Sequence, residues 1–112
     1  MQNCGDNVFK GIPVAPEQAS LVDGYLAGRD FSPHTRKAFI HDLRKFASWF
    51  ATANHEPFTV GRVTMRDVVD FRDHLHRDRQ QAVATCNRAL VSLRGFFEWL
   101  TTNGHTPTNP TK

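Results

Sequence analysis

Long apolar runs are missing from this sequence. No stretch approaches the roughly 18 residues of a membrane-spanning helix, and the start, MQNCGDNVFKG, has neither the charged nor the apolar region of a signal peptide. A cytoplasmic chain with no membrane partner is therefore expected. Cysteine is scarce: Cys4 and Cys86 lie far apart and outside any CxxC or mixed Cys/His spacing, so neither a disulfide framework nor a zinc site is indicated. No GxxxxGK[ST] or GxGxxG pattern offers a phosphate cradle. The single tyrosine, Tyr25, lies on the apolar side of a segment poor in cations. A tyrosine nucleophile would need cationic donors around it, so Tyr25 is expected to pack in a core. His74 and His76 are two residues apart, which sends them to different sides of a helix, unlike the i, i+4 pair of a metalloprotease. Asp67, Asp70, Asp73 and Asp78 each lie within two residues of an arginine, the pattern of solvated ion pairs. No catalytic group, metal or cofactor is expected in the chain as given.

What is present suits a small helical domain. A chain of 112 residues closes one hydrophobic core more readily than two. The apolar fraction of 39% includes nine Phe and two Trp, while a mean hydropathy of -0.48 implies a generously polar surface. The net charge of +3 is unevenly spread. Residues 1–30 hold two basic and four acidic side chains, whereas residues 33–50 hold Arg36, Lys37, Arg44 and Lys45 against Asp42 alone. Such concentration is compatible with a polyanionic partner.

Periodicity predicts four helices. The first 15 residues carry Gly5, Gly11 and Pro13 with little pattern and are expected to form a flexible arm. A first helix begins near Pro16, with Leu21, Tyr25 and Leu26 on one side. A second is capped by Ser32, has Pro33 at its first position and runs to about Ala53. NHEPFTVGR reads as a loop. Thr64 with Asp67 resembles a capping box opening a third helix, whose apolar stripe is Val68, Phe71 and Leu75. The fourth spans about 83–102 with Cys86, Leu90, Leu93, Phe97 and Leu100 inward, Ala84, Arg88, Val91 and Gly95 outward, and Asn103-Gly104 as its stop. HTPTNPTK then reads as a linker, unpacked against any core. Four amphipathic helices without a convincing strand give an all-α bundle.

The second helix holds the strongest candidate site. Phe39, Leu43, Phe46 and Phe50 recur at steps of four, three and four and form its buried stripe. At about 100° per residue, His34, Lys37, His41, Arg44 and Ser48 fall on the opposite side, with Lys45 at the edge. Composition permits two readings of that face: a solvated surface, or a helix laid on nucleic acid with Lys37, Arg44 and Lys45 on phosphates and His34, His41 and Ser48 hydrogen-bonding phosphate oxygens or base edges.

The order of motifs separates these readings. FSPHTRKAFIHDLRKFASWF resembles the S-x-x-T-x-x-x-Y-x-x-D-L-x-x-F segment of the amino-terminal, core-binding domain of tyrosine recombinases, the phage-integrase and Xer-like family, with Phe39 in the tyrosine position. VTMRDVVDFRDHL is similar to that family's third-helix motif through Thr64, Asp67, Phe71 and Leu75. ATCNRALVSLRGFFEWL is similar to its T-x-N-R-x-L-x-x-L-R-x-F-F-x-W-L signature, and TNP at 108–110 resembles the start of the linker to a catalytic domain. The usual serine at the start of the fourth helix is absent near Ala82, which weakens that cap.

The resemblance implies a compact four- to five-helix SAM-like bundle that clamps double-stranded DNA with its second and fourth helices. It divides the chain into an arm (1–15), a core-binding helical domain (16–104) and the start of a linker (105–112). The implied DNA-binding residues are Thr35, Lys37, His41, Arg44 and Lys45 on the second helix and Thr85, Asn87 and Arg88 on the fourth. Outward geometry agrees for Lys37, His41, Arg44 and Arg88, whereas Thr35 and Asn87 rest on resemblance alone. Arg94 lies nearer the core side, where packing with a solvated head is expected. The family's catalytic residues belong to a separate carboxy-terminal domain, so the chain is expected to bind duplex without cutting it. A longer parent would be tetrameric on DNA and the isolated domain monomeric. Alternatives are a stand-alone DNA-binding regulator and a helical protein-interaction module using the third helix with Phe96 and Trp99.

Overall fold

Four α-helices carry the part of the chain that the computed structural model describes, residues 8–112: α1 (Gln18–Ala27), α2 (Pro33–Asn54), α3 (Met65–Asp73) and α4 (Val83–Thr102). Among these residues no strand forms, and the only ladder-type pairing is one isolated parallel bridge between Val14 and Phe58. The protein is all-α, as its periodicity predicts. Its internal contacts group into two compact units, Met1–Val60 and Gly61–Lys112. No described helix is long and apolar enough to cross a membrane.

In the first unit, the Ser32 hydroxyl accepts the Thr35 amide at 3.2 Å and Pro33 occupies the opening turn of α2. The helix ends at His55, in the left-handed region with φ 54°. Phe39, Leu43, Phe46 and Phe50 are all buried, so the predicted stripe is the core face. On α1 the buried set is Val22, Tyr25 and Leu26, with Leu21 only half-buried, so that helix is turned slightly from the stripe read in sequence. Phe58, inside the expected loop, is fully buried. Its ring meets those of Phe46 and Phe50 edge-on at 5.8 and 5.7 Å between centroids and lies 5.7 Å from Phe9.

The expected arm over 1–15 is corrected from Val8 onward; residues 1–7 lie outside the described part. Val8 and Phe9 are buried. The Phe58 amide donates to the Pro13 carbonyl at 2.9 Å and the Ala15 amide to the Phe58 carbonyl at 3.0 Å. Buried Gln18 ties the same region together, its side-chain carbonyl accepting the Val60 amide at 2.9 Å. Two apolar side chains and a short backbone pairing hold a segment whose glycine and proline content suggests freedom.

In the second unit, Thr64 and Asp67 form the expected capping box: the Thr64 amide donates to the Asp67 carboxylate at 2.9 Å, and the Asp67 amide to the Thr64 hydroxyl at 3.2 Å. After Asp73 the helix widens into a π turn, His74–Asp78, in which the Arg79 amide reaches back five residues to the His74 carbonyl at 3.1 Å. Helix α4 starts after Ala82, which supplies no side-chain cap, and buries Cys86, Ala89, Leu93, Phe96, Phe97 and Leu100. Leu90 is half-buried, and Phe96 takes a core place that the predicted stripe did not give it. Gly104, with φ 76°, closes α4: its amide donates to the Thr101 carbonyl, and the His105 amide donates to that of Leu100. This is the paired 5→2 and 6→1 ending that favours glycine. The 105–112 segment is not unpacked, because Thr106 and Pro110 are buried and the Thr106 hydroxyl lies 3.3 Å from that of Thr101.

Candidate nucleic-acid interface

The outer side of α2 separates the basic residues more sharply than periodicity alone. His34, Lys37, His41 and Ser48 are exposed. Arg44 is half-buried and donates from Nη1 to the Val8 carbonyl at 2.7 Å, so part of its guanidinium holds the packed arm segment. Lys45 is half-buried and has interactions of its own. Thr35 is exposed, and its hydroxyl accepts from that of Ser32 at 2.9 Å, which gives it a part in the cap. The only acid between residues 31 and 54, Asp42, is completely buried, and no buried side-chain polar atom in the described residues lacks a hydrogen-bond partner. Asp42 therefore places no carboxylate on the exposed face, which carries Lys37 between two histidines. The wheel contained this information: Asp42 is three residues from Phe39 and four from Phe46, on the flank of the apolar stripe.

In the second unit, Asn87 and Arg88 are exposed on α4 and Thr85 is half-buried. Arg88 also makes contacts within the protein. Val83 and Val91 stand 62% and 60% exposed on the same helix. Because Ala82 caps nothing with its side chain, the first-turn amides of α4 have no side-chain acceptor from that position. Arg94 is exposed and lines a cleft of about 190 Å³ with Met65, Val69, Leu90 and Pro110.

The remaining candidates resolve into ordinary structure. Tyr25 is buried beside Phe31 and Phe39, with the Arg29 guanidinium 5.1 Å from its ring centre. His74 pairs with Asp78 at 3.1 Å and Arg66 with Asp70 at 3.2 Å, both at i, i+4 surface positions where such pairs contribute little. Among the described residues no group of His, Cys, Asp or Glu could hold a metal ion. Phe96, half of the aromatic pair considered for protein docking, is fully buried, while Trp99 is half-buried with its ring 5.1 Å from that of His105.

These two helices lie within the reach of one family match. The family described as "Phage integrase, N-terminal SAM-like domain" matches residues 21–104. The chain belongs to the phage integrase N-terminal, SAM-like domain family. All eight interface candidates of this SAM-like domain fall inside the matched range. The tyrosine recombinase XerC of Methylobacterium sp. (strain 4-46) is 31% identical over 100 residues, which cover 84% of this chain and 31% of that protein. The chain thus spans about a third of that relative's length. No solved structure matches it.

Proposed function

We propose that this SAM-like domain is the core-binding module of a site-specific tyrosine recombinase and that it holds duplex DNA at the recombination site. The observation that carries this reading is the outer face of α2: exposed Lys37, His34, His41 and Ser48 back onto a fully buried aromatic stripe, with the local acid withdrawn from the surface. A rigid helix with an acid-free, cationic and hydrogen-bonding face suits phosphate oxygens, whose neutralisation releases counterions and drives association. On α4, exposed Asn87 and Arg88 supply groups able to contact phosphates or base edges, with Thr85 beside the helix start. Arg44 and Lys45 add charge at the margin of α2. The module positions DNA in the cytoplasm, cutting and joining are the work of another part of the parent recombinase, and the isolated chain is monomeric while the parent assembles as a tetramer on its site.

The test is an amide NMR titration of the labelled chain with a short duplex at low salt and again near physiological ionic strength. Shifts are expected to cluster on Lys37, His41, Arg44, Lys45 and Arg88 and to fade as salt rises. Still amides at those positions, or shifts insensitive to salt, overturn the reading. A second reading, a protein-docking module, keeps one observation in its favour: Met65 and Val69 are exposed beside the cleft that Arg94 lines. It predicts that α3 responds to a partner and α2 does not.

A further inference from the structure

Val91 is a poor choice for the place it occupies. A β-branched residue loses side-chain freedom in a helix, and at 60% exposure it recovers little by burial. Such local mismatches concentrate at functional positions. Its place on α4 is also particular. At about 100° per residue, and measured from Val83, Asn87 lies at about 40°, Val91 at about 80° and Arg88 at about 140°. Val91 therefore stands close to the midline between the two exposed polar residues, and one helical turn beyond them. Ala84 and Gly95 lie at about 100° and 120° on the same wheel and add little bulk beside Val91, while exposed Glu98, at about 60°, stands two turns further along the helix.

We infer that Val91 is a base-reading residue whose methyl groups contact the C5-methyl of thymine in the major groove. This rests on the DNA-binding reading of α4 given above. The major groove presents one apolar feature, the thymine methyl, and apolar side chains read it by contact. Asn87 and Arg88 flank it with groups that hydrogen-bond base edges or phosphates, so the three positions together combine one apolar and two polar contacts on adjacent steps. Specificity from Val91 is then largely independent of salt, unlike the phosphate contacts of α2.

The test works on a target site of any sequence. A randomised duplex pool is enriched on the chain, and the best-bound duplex is then made with uracil replacing thymine at one position at a time, which removes only the methyl group. The wild-type chain is expected to bind about two- to fivefold more weakly when one or two particular thymines are replaced, and indifferently when others are. Val91→Ala is expected to bind the thymine and uracil duplexes equally, and Val91→Thr, which keeps the shape and one methyl, to show an intermediate preference. Equal wild-type affinity for every thymine and uracil pair, or a preference that survives undiminished in both variants, overturns the inference and leaves the DNA-binding reading standing. Failure of the pool to enrich at all overturns that reading and this inference with it.

Discussion

Phe58 and Lys37 lie at opposite extremes of what one side chain does in this protein. Phe58 is fully buried and meets three other rings, so Phe58→Ala leaves a cavity at the centre of the first unit. Its expected cost is about 3–5 kcal/mol, measured as a lower urea midpoint. Lys37 is exposed, and Lys37→Ala is expected to change stability by no more than about 0.5 kcal/mol while weakening duplex binding in the same preparation. Lys37 and His41 were legible from the helical wheel because an exposed helix face needs only local spacing. Phe58 was not, since a lone aromatic between Pro57 and Thr59 has no periodicity to join. Arg44 was half-legible: its outward bearing follows from spacing, but its bond to the Val8 carbonyl joins residues 36 apart in sequence, and no local pattern encodes that.

Helix termini follow local chemistry most faithfully. Ser32 with Pro33, Thr64 with Asp67 and Asn103 with Gly104 each set an end where the sequence places it, because a cap is a contact among residues three or four apart. Thr64→Ala removes half of a reciprocal box and is expected to cost about 1 kcal/mol. Ala82→Ser supplies the missing acceptor at the start of α4 and is expected to add up to about 1 kcal/mol; paired thermal melts of the two variants give both signs. Sequence reasoning misplaced what has no such local grammar. The segments before α1 and after α4 look free by their proline and glycine content, yet Phe9, Thr106 and Pro110 are buried. The orientation of α1 also differs from its predicted stripe, because Leu21 and Val22 are both apolar and adjacent, and only packing decides between them.

At the scale of the whole molecule, a net charge of +3 is unevenly presented to a polyanion, since the one acid of α2, Asp42, is buried and Lys37 is exposed on that helix. Each phosphate neutralised contributes about -0.9 to the slope of log affinity against log salt. Lys37→Gln is expected to lower the steepness of that slope by about 1, read from anisotropy titrations at several salt concentrations, whereas Val91→Ala should leave it unchanged. The total length also contains slack. A π turn accommodates one residue more than the α turn it replaces, so His74–Asp78 can release one residue by returning to α-helical winding. Loss of exposed Arg77 returns the turn to α-helical winding, while Phe71 and Leu75 keep their register because they precede the lost position. The same loss at Ala89 would rotate the rest of α4 by about 100° and turn Leu93 and Phe97 out of the core. Variation in chain length among descendants of this sequence is thereby channelled to the turn between α3 and α4 and away from the two helices proposed to face DNA.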